Sequence, residues 1–203
     1  MSRKVFLLSP ASTTGRRAQF LFNERAAFPL AVQLRRKRGA TLGDVFAFLS
    51  GLYFRGKLEY ARAFAEQQRG VRSILVITPD RGLVAPETRV TLDDLRAFST
   101  SPIDVRNESY RGPLLRDAQE LARRGGGSLD VILLGSVASG KYVDILLGEF
   151  GERLLFPLEF VGRGDMSRGG LMLRCVDARS ELAYVPVAGA VRHGARPPKL
   201  TPR

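Results

Sequence analysis

The sequence is poor in the residues that most often carry chemistry alone. It holds one histidine, His193, and one cysteine, Cys175, among 203 residues. A lone thiol excludes an intramolecular disulfide, and nothing points to an oxidising compartment. One Cys and one His cannot supply the ligands of a zinc centre. A Ser–His–Asp triad would need His193 to fold back from the tail, so none is expected. No metal and no cofactor are expected. Long apolar runs are missing too: stretches such as Ser73–Thr78 and Val131–Gly135 are far too short to cross a bilayer. No basic segment followed by an apolar one opens the chain, so no secretion signal is read and the expected location is cytoplasmic. Two nucleotide motifs are absent as well, the G-x-x-x-x-G-K-[ST] phosphate loop and a G-x-G-x-x-G after the first strand.

Acidic residues are also few. Asp and Glu total 20 against 32 Lys and Arg, a formal net charge of +12, and 27 of the cations are arginine. This balance suits nucleic acid or another polyanion, although a GC-rich genome also raises arginine content. The densest run is Arg35-Arg36-Lys37-Arg38, and the tail after Glu181 is basic without acids.

Apolar residues make up 44% and charged residues 26% of the chain, the balance of one folded domain with a sizeable core. Short apolar runs at Lys4–Ser9, Phe28–Leu34, Ser73–Thr78, Asp130–Gly135 and Leu154–Phe160 read as strands. Helical spacing follows most of them. Arg16 to about Asn23 is expected to start from Thr13 or Thr14 as cap. Thr41 with Asp44 and Thr91 with Asp94 have the capping pattern. Gly51 and Gly56 interrupt the pattern between Leu49 and Leu58. Residues 99–111 read as irregular, with Pro113 opening a helix that ends at Gly125-Gly126-Gly127. Another helix carries Val143, Leu146, Leu147 and Phe150, and a last one runs from about Met166 to Ala178. Strands alternating with helices predict a single α/β domain over residues 1–188, with a largely parallel or mixed central sheet flanked by helices. Residues 189–203 form a basic Pro/Gly-rich tail, expected to be poorly ordered.

In such sheets ligands gather at the carboxyl ends of the strands. Three ends are rich in hydroxyls and cations: Ser9, Ser12, Thr13, Arg16 and Arg17; Asp80 and Arg81 after Thr78; and Ser136, Ser139, Lys141 and Tyr142. Two of these turns feed helix N-termini, where free N–H groups and the helix dipole favour an anion. The same residue types also serve as plain caps and turns. Tyr53, Arg55 and Lys57 form an aromatic–basic cluster able to stack on a base and hold a phosphate, or to sit in a helix as core. With histidine and metal removed, acid–base chemistry falls to Asp80 and Asp165, each in a Gly- and Arg-flanked turn.

The ordered motifs resemble the YaaA-like superfamily, the peroxide-stress protein family and its related domains. Ser9-Pro10-Ala11 is similar to that family's opening Ser-Pro-Ala, and Gly82-Leu83-Val84-Ala85-Pro86 to its Gly-Leu…Pro turn. Ala138-Ser139-Gly140-Lys141-Tyr142 is similar to its Ala-Ser-Asn-Glu-Tyr stretch, with Lys141 where the family has glutamate. Arg168-Gly169-Gly170-Leu171-Met172 looks like its Arg-Gly-Leu-Met with one residue inserted. The resemblance implies a DNA-binding role in oxidative stress through a positively charged groove, here Arg16, Arg17, Arg55, Lys57, Lys141 and Arg168. A weaker similarity, through Thr78-Pro79 and Gly82 to Pro86, is to the central domain of archaeosine synthase and implies work on a tRNA base. Two readings result: a nucleic-acid-binding protein, or an enzyme acting on a nucleotide or nucleobase, such as a glycosidase or base-modifying transferase. Whether it is an enzyme, and its oligomeric state, are left open by the sequence.

Overall fold

An apolar run that is buried along both faces of a strand belongs inside a sheet covered on both sides. The run at β1 (Arg3–Leu8) is of this kind, with Val5 to Leu8 fully buried. A computed structural model describes residues 3–66, 72–138, 140–198 and 200, and places β1 near the middle of a six-stranded mixed sheet. From one edge to the other the order is β4 (Leu83–Val84), β3 (Ile74–Ile77), β1, β6 (Leu129–Leu134), β7 (Leu154–Pro157) and β8 (Tyr184–Pro186). The strands β3, β1, β6 and β7 are parallel, and the edge strands β4 and β8 are antiparallel to their neighbours. The register of the central pair is continuous, from Arg3 opposite Leu129 to Leu8 opposite Leu134. A separate two-stranded ribbon joins β2 (Ala40–Thr41) and β5 (Arg89–Val90). The single α/β domain expected from the sequence is therefore what the chain forms.

The helices are α1 (Arg16–Phe22), α2 (Pro29–Arg35), α3 (Leu42–Ser50), α4 (Leu52–Phe64), α5 (Leu92–Thr100), α6 (Glu108–Gly125), α7 (Gly140–Phe150) and α8 (Asp165–Ala178). The chain leaves β1 toward one edge and β6 toward the other. Right-handed crossovers then set α4 on one face of the sheet and α6 and α7 on the opposite one. The packing agrees, since α8 and α3 pack on α4 while α6 packs on α7.

Several expectations are corrected. The run at Phe28–Leu34 is not a strand but the helix α2, with Pro29 in its first turn and Ala31 and Leu34 buried three residues apart. Gly56 does not break a helix: α4 runs through it because α8 passes too close for a side chain. A Cβ on Gly56 would stand 2.7 Å from Gly169 O, and one on Gly169 would stand 2.6 Å from Leu52 O. The helix α6 begins at Glu108, capped by Asn107, so Pro113 lies inside it and the irregular stretch ends earlier than expected. Neither Thr13 nor Thr14 caps α1, whose N-cap is Gly15 without a side-chain hydrogen bond. The strand β7 stops at Pro157 and tightens into a 3₁₀ turn, Leu158–Phe160. The capping patterns hold: Thr41 accepts from Asp44 N, and Thr91 and Asp94 form a complete capping box.

The far edge is fastened by a polar chain. Tyr60 Oη accepts from Leu182 N at 2.8 Å and lies 2.7 Å from Tyr184 Oη, which donates to Glu181 at 2.8 Å. Glu181 also pairs with Lys4 at 2.8 Å. Residues 191–198 carry no regular secondary structure and run past the start of α8, where Ala195 O closes on Gly162. Among the described residues no helix is long and apolar enough to cross a membrane.

Candidate functional site

Connections leaving β1 and β6 in opposite directions create a crevice outside their carboxyl ends, the position where open α/β sheets hold ligands. Ser9 follows β1 and Ser136 lies just beyond β6, with Ser9 N donating to Leu134 O at 3.1 Å. A cavity of about 770 Å³ opens there. Of the expected site residues, Ser9, Ser12, Thr13, Tyr53, Ser136, Lys141, Tyr142 and Asp165 lie on its wall. The second strand end reaches the wall only through Pro79. Ser139 lies outside the described residues.

The loop after β1 is held by Thr13, whose buried hydroxyl donates to Phe98 O at 3.2 Å and ties it to α5. That leaves Ser12 and Thr14 exposed, their hydroxyls 3.4 Å apart. Tyr142 donates to Ser136 O at 2.9 Å, which fixes the loop after β6. Gly135 makes room for this: a Cβ there would stand 2.8 Å from Ser9 Cβ and 2.9 Å from Tyr142 Oη. Burial raises the Tyr142 phenol.

The close passage of α4 over α8 builds the cavity floor. It brings Tyr53 and Lys57 of α4 against Asp165 and Arg168 of α8. Lys57 is only 1% exposed; its ammonium reaches Ser9 O at 2.6 Å and Ser9 Oγ at 2.9 Å. It also lies 4.4 Å from the centre of the Tyr53 ring and 4.9 Å from that of Phe54. Burial lowers the Lys57 amine to about 7, with Arg168 adding to the fall and Asp165 opposing it. Tyr53 is raised by burial, and its hydroxyl is closed off from solvent without a hydrogen bond of ordinary geometry. Asp165 opens α8, stays exposed and lies 3.6 Å from the Arg168 guanidinium. Its carboxylate in the first turn of the helix complements the helix dipole.

The remaining expected residues stand elsewhere. Asp80 is not among the residues lining the cavity; its Oδ1 is buried without a hydrogen bond, 3.4 Å from Arg81 Nε. Burial raises its carboxyl, Arg81 opposes this and Asp94 adds to it. Arg81 ties the turn to α5 through Asp94 at 2.5 Å and lies over the Phe98 ring. The six cations named for one groove do not share it. Lys57 is internal, and Arg168 is nearly so, donating twice to Phe160 O at 3.0 and 3.1 Å. Arg17 donates to Phe48 O at 3.1 Å, Arg16 is exposed outside the cavity wall, and Arg55 faces a different hollow. That hollow, about 480 Å³, also carries Arg163, Arg174 and Arg196, with no acid among its described lining residues.

Sequence reading missed four polar wall residues: Ser50, Ser99, Ser101 and Asp104. The last three belong to or adjoin the polar stretch between α5 and α6, whose composition marked it as a loop with nothing to say where it points. Three hydrogen bonds from Arg106, two from its guanidinium and one from its backbone N–H, hold the Asp104 carboxyl well below the usual range, with Lys141 contributing as a neighbouring charge. Among the described residues no group of His, Cys, Asp and Glu is placed to hold a metal ion. No protein-family model matches the chain, and no curated protein or solved structure does so either.

Proposed function

We propose that the cavity between the ends of β1 and β6 binds a nucleotide, free or as one unit of a nucleic acid, and that the protein acts on it. The observation that carries this reading is the mixed chemistry of a single cavity at the sheet's switch point. Hydroxyls from three loops and Lys141 suit a phosphate, while Asp104 and Asp165 suit the donors of a sugar or base. A volume of about 770 Å³ is of the size that small-molecule sites have. A simple polyanion would gain nothing from the two carboxylates. The test is calorimetry with nucleoside monophosphates, short oligonucleotides and inorganic phosphate. Binding of a nucleotide is expected to weaken by about 10- to 150-fold in Lys141→Ala, since a charged hydrogen bond contributes about 1.5–3 kcal/mol. It is expected to weaken further in Ser136→Trp, whose indole takes up part of the cavity. Absence of heat with every nucleotide would overturn the reading.

A second reading, nucleic-acid binding as the YaaA-like resemblance implies, has its own support. The second hollow gathers four arginines, Arg55, Arg163, Arg174 and Arg196, without an acid among its described lining residues, a composition suited to the phosphates of a strand. Affinity for an oligonucleotide should then fall with salt, the log–log slope shrinking by about 0.7–0.9 for each phosphate contact removed. Arg55→Ala and Arg196→Ala should each reduce it. Binding that barely changes between low and physiological salt would remove this reading.

A further inference from the structure

A buried lysine ordinarily meets a carboxylate or carries its charge out to water. Lys57 does neither: among the described residues no carboxylate lies within ion-pair distance of it. Its amine instead stands directly behind Ser9, at 2.9 Å from Oγ, and its second contact, Ser9 O at 2.6 Å, fixes its direction. Ser9 in turn is on the cavity wall at the end of β1. The order from inside to outside is amine, hydroxyl, cavity.

We infer that Ser9 and Lys57 are a nucleophile and its base, which attack the phosphorus of a phosphate ester held in the cavity. This rests on the nucleotide reading for its substrate class. The neutral amine donates to Ser9 O and accepts the Ser9 Oγ–H proton with its lone pair. Oγ bonds to phosphorus, the bond from phosphorus to the leaving oxygen on the far side breaks, and that oxygen takes a proton from solvent in the open cavity while Lys57 keeps the serine proton as an ammonium. Water from the cavity then attacks the phosphoserine on its far side and gives up a proton to solvent, and the Lys57 ammonium returns its proton to Oγ as Ser9 leaves. The groups facing the amine are Tyr53 on its own helix, Asp165 and Arg168 on α8, and Ser9, beside which stands Tyr142 of α7. Of these, Asp165 favours the ammonium while burial and Arg168 disfavour it, so the neutral form is present near pH 7.

The test uses the full chain and a fluorophosphonate, a phosphorus electrophile that loses fluoride, read by intact mass and peptide mapping. One adduct on Ser9 is expected, with a rate that rises with pH through a midpoint near 7. Ser9→Ala should abolish it, and Lys57→Met should slow it by about 100-fold or more, the usual range for loss of a general base. Lys57→Met is informative only if it still melts cooperatively, and the wild-type pH profile decides the matter without it. No adduct on Ser9, or an adduct whose rate ignores pH between 6 and 8.5, overturns the pair. Calorimetry separates the two claims: nucleotide binding without labelling sinks the pair alone, and labelling without nucleotide binding sinks the substrate class alone.

Discussion

Replacing Gly56 by alanine puts the α4–α8 crossing to a direct test. The added methyl would stand 2.7 Å from Gly169 O and 3.0 Å from Gly169 Cα, where ordinary contact begins at 3.4 Å. Backbone cannot swing aside as a long side chain does, so the two helices must part by roughly 0.7 Å in a close-packed interior. Overpacking of this kind costs about 1–3 kcal/mol. Alanine regains up to about 1 kcal/mol of helix propensity, which leaves a net loss of about 1–2 kcal/mol. For a chain of this length that lowers Tm by roughly 2–8 °C. Gly148→Ala is the matched control: it is exposed within α7 and a Cβ there meets nothing within 4 Å. It should raise Tm by roughly 2–4 °C. Thermal melts followed by far-UV circular dichroism compare the three proteins. The reasoning fails if Gly56→Ala melts at or above the wild type, or if both alanines act alike. Nucleotide binding should drop in Gly56→Ala as well, because the same crossing sets Tyr53 and Lys57 against Asp165 and Arg168.

Other outcomes follow from the same structure. Lys57 titrates near 7 in the native state and near 10.4 unfolded, so between these values the unfolded chain holds one more proton and stability rises with pH. From pH 7 to 8.5 urea unfolding should show a gain of about 1.5 kcal/mol, absent in Lys57→Met; a flat wild-type profile would mean that the amine stays charged. Tyr60→Phe removes the acceptor of Leu182 N and the partner of Tyr184, and should cost about 1–3 kcal/mol in denaturant melts. A loss below about 0.5 kcal/mol would show that water replaces the hydroxyl. Asp80 is raised by burial, so its charge is a burden at neutral pH that disappears once it protonates. Asp80→Asn should leave Tm unchanged or slightly higher at pH 7, and a clear drop there would contradict this.

The strands with two buried faces could be read directly, since Val5–Leu8 and Val131–Leu134 are unbroken apolar runs ended by turn residues. The two- and three-residue strands β2, β4, β5 and β8 could not, because they are too short to show any period. Residues 28–34 are equally ambiguous as an apolar run. Pro29 at the first helical turn was the deciding feature, and it outweighs the run of β-compatible residues. Gly56 was misread because propensity describes an isolated helix, whereas here its missing side chain is what the neighbouring helix requires. Within the site, the hydroxyls were legible from their place after strands. The depth of Lys57 was not, although Tyr53, Phe54, Lys57, Tyr60 and Ala61 share the buried side of α4. A lysine spaced among such residues is the pattern that betrays a buried amine.

The central position of β1 also has a consequence in time. Phe6 is paired with Ile74 on one side and Ile132 on the other, so this strand is made well before either neighbour. At ribosomal speed the wait for β6 is roughly 6–25 s, during which Val5 to Leu8 have no completed sheet to enter. Ser9 and Ser136 meet only when that last parallel neighbour arrives, so the cavity is among the late products of folding. Slow, non-local closure of this kind makes the nascent chain, more than the finished protein, the state most exposed to aggregation.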